Sequence, residues 1–113
     1  MKKLFVMRLK PGFESEYELR HNPIPKELAA AIRAHSVTSY SIFLDPERHL
    51  LYAYMEYESE ESLGRLAGTE VCQRWWRHMA PLMQVNADYS PVRDGTRQVF
   101  DLSAQTSPPH RLA

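Results

Sequence analysis

Two apolar runs held a few residues apart constrain this chain more than any other feature. Val37 to Leu44 closes at Asp45, Pro46 and Glu47, where Asp and Pro favour a tight turn, and Leu50 to Glu58 then returns. Strands joined this closely pair as an antiparallel hairpin. The run Leu50-Leu51-Tyr52-Ala53-Tyr54-Met55 predicts that the second of them is buried on much of both faces.

The flanking segments complete a pattern. Lys3 to Leu9 reads as a strand stopped by Pro11-Gly12, and Phe13 to Arg20 has helical character until Pro23 and Pro25 break it. Lys26 to His35 carries Leu28, Ala31 and Ile32 on one helical face. Beyond the hairpin, Ser59 to Ser62 opens a helical region whose acidic start suits the helix dipole. Thr69 is the predicted N-cap of a helix over Glu70 to Met83, where Val71, Trp75, Met79 and Met83 recur every four residues. Thr96 to Leu102 is expected as a last strand. The order strand, helix, strand, strand, helix, strand is the ferredoxin-like arrangement of an α+β fold, with helices on one face of an antiparallel sheet.

A chain of 113 residues has room for a single domain, placed at 1–102, and folding at this size buries roughly two thirds of the unfolded surface. Nothing is left over to cover the second sheet face, so a homodimer with sheets packed face to face is expected. Residues 103–113, with Ser, Gln and two prolines but no apolar period, read as a flexible C-terminal tail.

Charge narrows the partners. Lys plus Arg balances Asp plus Glu at 14 each, so no net positive field draws in phosphate backbones or anionic lipid, and nucleic acid is not expected as a partner. The longest apolar stretches fall far short of the roughly 20 residues that span a bilayer. No signal peptide is visible, and Cys72 is the one cysteine, which suits a reducing compartment; a cytoplasmic protein is expected.

Tyr17 and His21 are four residues apart, so a helix reaching that far sets both side chains on one face. Imidazole titrates near pH 6.5 and trades protons at cell pH, and positioned acid/base groups contribute about 10²- to 10⁴-fold in rate. The competing reading of His21 is a surface histidine bonded to its own helix carbonyls. Trp75 and Trp76 point about 100° apart on a helix, so both cannot enter one part of the core, and one is expected to line a concavity. Indole stacks on sugar C–H faces and donates its N–H to a hydroxyl; packing in the core or at an interface is the other role open to both. Tyr40, mid-strand, offers a hydroxyl to the same cavity or packs as an ordinary strand aromatic. His21, His35, His49, His78 and His110 are scattered, so no metal site is expected. Gly-rich phosphate loops and a serine nucleophile elbow are missing.

The run Glu16-Tyr17-Glu18-Leu19-Arg20-His21-Asn22-Pro23-Ile24, with the later Val71-Cys72-Gln73-Arg74-Trp75-Trp76, resembles the L-rhamnose mutarotase family in order and spacing. The likeness takes in Ser39-Tyr40-Ser41-Ile42, Leu44-Asp45, Asn86-Ala87-Asp88 and Ser90-Pro91, and so covers Lys3 to Leu102. It implies a dimeric α/β-barrel isomerase that interconverts the α and β anomers of L-rhamnose without cofactor or metal. The family's proton donor falls on His21, and its sugar-binding positions fall on Tyr17, Tyr40, Trp75 and Trp76. Leu63 stands where close relatives are expected to carry tryptophan, which bears on the pocket wall or the interface. Two rivals share the barrel: a cofactor-independent monooxygenase or haem-degrading protein, and a non-catalytic sugar-binding module.

Overall fold

A computed structural model of the chain describes residues 1–105. Of the tail expected from Ser103 onward, residues 106–113 lie outside the described residues, and Ser103 and Ala104 belong to a single 3₁₀ turn, Leu102–Ala104. The elements run β1 (Lys2–Arg8), α1 (Glu14–Arg20), α2 (Lys26–Ala34), β2 (Val37–Asp45), β3 (Leu50–Tyr57), α3 (Glu60–Leu66), α4 (Glu70–Met79) and β4 (Asp94–Gly95). The four strands form one antiparallel sheet in the order β2-β3-β1-β4, the ferredoxin-like topology.

β3 and β1 hold the centre of the sheet. β2 and β3 pair from Val37↔Tyr57 to Asp45↔Leu50, and the turn is closed by Asp45, whose carboxylate accepts from the backbone N–H groups of Glu47 and Arg48. β1 pairs with the other edge of β3 along its whole length. Side chains alternate across these strands, so Phe5, Met7, Leu51, Ala53, Met55 and Tyr57 face the helices and join Tyr17, Met79, Leu82 and Met83 in one core. Fully burying Leu51 and Leu82 contributes roughly 1.5–3 kcal/mol each. On the opposite face, Leu4, Val6, Tyr52 and Tyr54 are only half-buried.

β2 carries an irregularity that decides one site residue. Its register shifts between Val37 and Ser39, which makes Thr38 an extra residue, a β-bulge. Without it the strand's alternation would put Val37, Ser39, Ser41 and Phe43 on the core side. With it, Val37 and Tyr40 both face the helices, Tyr40 opposite buried Met55, while Phe43 is left 62% exposed.

Two expectations are corrected. The α4 helix stops at Met79 rather than Met83, because Pro81 carries no N–H for the ladder and the chain tightens into a 3₁₀ turn over Ala80–Leu82. The expected strand over Thr96 to Leu102 does not form. The last strand is the two-residue β4, paired Val6↔Asp94 and Phe5↔Gly95. Continuing that register would set Arg97 directly opposite Lys3, a repulsive pair, and β1 ends at Lys2, so nothing past Gln98 has a partner there.

Candidate active site

The α1 helix delivers the acid/base group. Glu14 and Glu16 in its first turn and Arg20 in its last complement the helix dipole, and Arg20 closes an i,i+4 ion pair on Glu16 at 2.8 Å. Its final carbonyls accept from the His21 backbone N–H, and the Asn22 amide donates to Glu18 O at 2.8 Å. His21 therefore sits at the C-cap. Its Nδ1 lies 2.8 Å from the Tyr17 carbonyl oxygen. A carbonyl can only accept, so Nδ1 carries the hydrogen and Nε2 is left with its lone pair. The bond to its own helix, which marked the alternative reading of His21, is the bond that sets its tautomer.

Two aromatic rings fix the imidazole. Tyr17 stacks on it with centroids 4.2 Å apart at 27°, and Trp75 of α4 meets it edge-on at 5.1 Å and 83°. His78, one helical turn further on, tilts against Trp75 with centroids 5.7 Å apart. The α4 helix is set in register by Thr69, whose hydroxyl accepts from the Cys72 backbone N–H at 3.3 Å, as expected of its N-cap. Arg20 ties the two helices together by donating to His78 O at 2.6 Å.

Between the sheet and the helices lies a cavity of about 740 Å³, lined by Tyr17, His21, Tyr40, Trp75, Trp76 and Arg93 among others. That volume lies within the range of small-molecule sites. Burial lowers the pKa of His21, and the bond to the Tyr17 carbonyl works against it. Burial raises that of Tyr17, whose hydroxyl bonds to no other described residue. Tyr40 keeps 37% of its surface open, but it lines the cavity and protein packs around it, so burial pushes the phenol up to about 12; Arg93 pulls the other way. Both phenols stay protonated at neutral pH and can only donate or accept as O–H groups. The buried Cys72 thiol is likewise pushed up by burial and drawn down by Arg93.

The comparisons with known proteins agree with this geometry. A family model described as L-rhamnose mutarotase matches residues 2–102. The chain belongs to the L-rhamnose mutarotase family. The L-rhamnose mutarotase of Escherichia coli O8 is 47% identical over 102 residues, covering 90% of this chain and 98% of that one. That of Opitutus terrae is 48% identical over the same length and shares. The crystal structure of an L-rhamnose mutarotase from Formosa agariphila superposes with a TM-score of 0.83 at 34% identity, covering 90% of this chain and 98% of that one. A putative antibiotic biosynthesis monooxygenase from Caulobacter crescentus, 19% identical with a TM-score of 0.62, shares the fold alone.

In this mutarotase-family chain all five residues singled out in the sequence line the one cavity. Tyr17, His21 and Trp75 form a contiguous ring cluster. Both tryptophans line the cavity, as the family resemblance implied, where helix geometry alone called for one. Trp76 serves a different wall, with the Arg93 guanidinium 5.8 Å from its ring and 5.2 Å from that of Phe5. Leu63 lines the cavity and packs on the core. Arg93 and Tyr89 carried no sequence signal as site residues: both come from the irregular segment after Met83, and a loop residue shows no periodicity that would aim it inward. Tyr89 reaches the cavity with a backbone φ of 69°, in the left-handed region that tyrosine seldom adopts.

Proposed function

We propose that this chain is an isomerase that interconverts the α and β anomers of L-rhamnose, with His21 moving the proton. The observation that carries the assignment of His21, a residue lining the cavity, is its hydrogen-bonded Nδ1 and an Nε2 that bonds to no other described residue. Mutarotation moves one proton from the anomeric hydroxyl to the ring oxygen as the C1–O5 bond breaks. Rotation about C1–C2 turns the free aldehyde over, and the reverse transfers reclose the ring on its other face. Both oxygens sit on the anomeric carbon, so one imidazole reaches both. Nε2 of neutral His21 takes the hydroxyl proton and delivers it to the ring oxygen, and the histidine ends as it began.

Tyr17 and Tyr40, protonated throughout, hydrogen-bond the sugar, while Trp75 and Trp76 present rings to its C–H faces. No step calls for a cofactor or metal. The half-buried face carrying Leu4, Val6, Tyr52 and Tyr54, together with exposed Phe43, supports a homodimer with two sheets face to face, the dimeric α/β-barrel. A cytoplasmic location accords with a lone unpaired cysteine. Monooxygenase chemistry on the same fold is not favoured, because the neighbours so named are too distant to speak for more than the fold.

The test is exchange between the anomeric NMR signals of L-rhamnose. Wild-type protein is expected to speed it and His21→Ala to lose that effect. Exchange unchanged by wild-type protein sinks the mutarotase reading; full activity in His21→Ala leaves the enzyme standing and removes the assignment of the proton carrier.

A further inference from the structure

The residue before β4 aims a charge at the cavity. Asp94 lies opposite Val6 in the ladder and pairs with Arg8, on the sheet face away from the helices. Successive side chains of a strand alternate, so Arg93 turns to the helix side, where continuing the register sets it opposite Met7, another residue of the cavity wall. Its guanidinium lies between sheet and helix, over the rings of Phe5 from β1 and Trp76 from α4. The chain on either side is held. Before it, the Asn86 amide donates to Ser90 Oγ at 3.1 Å, Pro91 bridges to Val85, and the Val92 N–H donates to Gln84 O at 3.1 Å; after it comes the β4 ladder.

Among the described residues Arg93 joins no ion pair and donates no hydrogen bond. The neighbouring carboxylate of Asp94 pairs with Arg8, and that of Asp88 accepts from the Ser90 backbone N–H at 3.0 Å and from its hydroxyl at 2.5 Å. The two aromatic faces orient the guanidinium but leave its five N–H donors to other partners. Its charge is felt inside the cavity, where it favours ionisation of both Tyr40 and Cys72. A positioned, unpaired donor fork at a cavity wall is suited to a ligand rich in oxygen lone pairs.

The geometry of a pyranose says which oxygens those are. Its C3–C4 bond lies across the ring from the C1–O5 bond. His21 works at C1 and O5 and meets Trp75, whereas Arg93 stands over Trp76, about 100° further round α4, on a different wall. With the reacting edge at His21, the C3 and C4 hydroxyls face that second wall. Two oxygens on adjacent carbons match the spacing of a guanidinium fork. We infer that Arg93 is a further sugar-binding residue whose guanidinium donates to the C3 and C4 hydroxyls. It holds carbons that stay still while the aldehyde turns about C1–C2, so the opened chain is kept in place to reclose. The inference rests on the mutarotase reading above and adds to it the residue that anchors the unreactive end of the sugar.

Titration calorimetry and anomeric NMR exchange test it, with wild-type protein and Arg93→Met, on L-rhamnose and its 4-deoxy analogue. Methionine keeps a flexible apolar contact with both rings at an exposed position, so an unchanged far-UV spectrum is expected to verify the fold. On L-rhamnose the variant is expected to bind about 10- to 100-fold more weakly and to raise KM by a similar factor, with kcat changed less than about 3-fold. Wild-type protein is expected to lose about 10-fold in affinity on the 4-deoxy sugar, whereas Arg93→Met is expected to bind the two sugars alike. A variant that binds L-rhamnose as tightly as wild type overturns the inference, as does one that discriminates against the 4-deoxy sugar as strongly. Wild-type protein that binds L-rhamnose without speeding exchange overturns the mutarotase reading, and the same affinities still judge Arg93. Wild-type protein that does not bind the sugar overturns both.

Discussion

Tyr17→Phe separates a positioning hydroxyl from a proton donor. The phenylalanine keeps the ring, so the 4.2 Å stack on His21 and the buried packing of Tyr17 persist, and the carbonyl bound by His21 Nδ1 belongs to the backbone. Only the O–H is lost, and in the free protein it bonds to no other described residue, so no partner is left stranded. A neutral hydrogen bond to the sugar is worth about 0.5–1.5 kcal/mol net. Removing it should lower kcat/KM by roughly 2- to 12-fold. Burial, which holds the His21 pKa down, is unchanged, so the acid limb of the pH profile should stay in place. Anomeric exchange measured by NMR at several pH values gives both numbers. A loss of about 10² or more would mean that Tyr17 itself transfers the proton, and a displaced acid limb would mean that its hydroxyl, not burial, sets the state of the imidazole; either result refutes the division of roles argued here.

Four further outcomes are expected. Because His21 acts from its neutral form and titrates below 6.5, kcat/KM should hold on the alkaline side until Tyr40 ionises at about 12, and fall as pH drops through the lowered His21 pKa. Stability measured by thermal melting should fall over the same acid window, since below 6.5 the unfolded chain takes up a proton that the buried imidazole refuses; a melting temperature that rises there would contradict this. Leu51→Ala, at a side chain with no exposed surface, should cost about 2–5 kcal/mol and lower Tm by roughly 10–20 °C, and a loss under about 1 kcal/mol would show that the sheet-helix core collapses around the gap. Cys72, buried with its thiol pKa raised, should react with iodoacetamide at neutral pH only after denaturation, and rapid labelling of the native protein would speak against that burial.

How far the sequence revealed this arrangement depends on whether local chemistry or distant pairing decided each part. β1, β2, β3 and the helices α1, α2 and α4 follow from apolar periodicity and from Pro, Gly and Thr69, all of which act over a few residues. The Tyr17–His21 pair follows from helical spacing. The bulge at Thr38 does not: it depends on which residue of β3 each residue of β2 meets, and nothing in Val37-Thr38-Ser39-Tyr40 announces it, yet it is what turns Tyr40 toward the cavity. Thr96 to Leu102 misled for the same reason. Its composition is that of a strand, and it lacks one only because β1 ends at Lys2 and Lys3 would face Arg97. Arg93 and Tyr89 reach the cavity along an irregular path that no periodic pattern encodes.

The bond between His21 and Tyr17 joins a side chain to a backbone oxygen, and every amino acid brings that oxygen. Substitution at position 17 can therefore strip the ring or the hydroxyl from the site without scrambling the imidazole's protonation pattern. Selection is free to explore what stands beside the sugar at that position while the proton carrier keeps its tautomer, a form of mutational robustness written into the helix end itself.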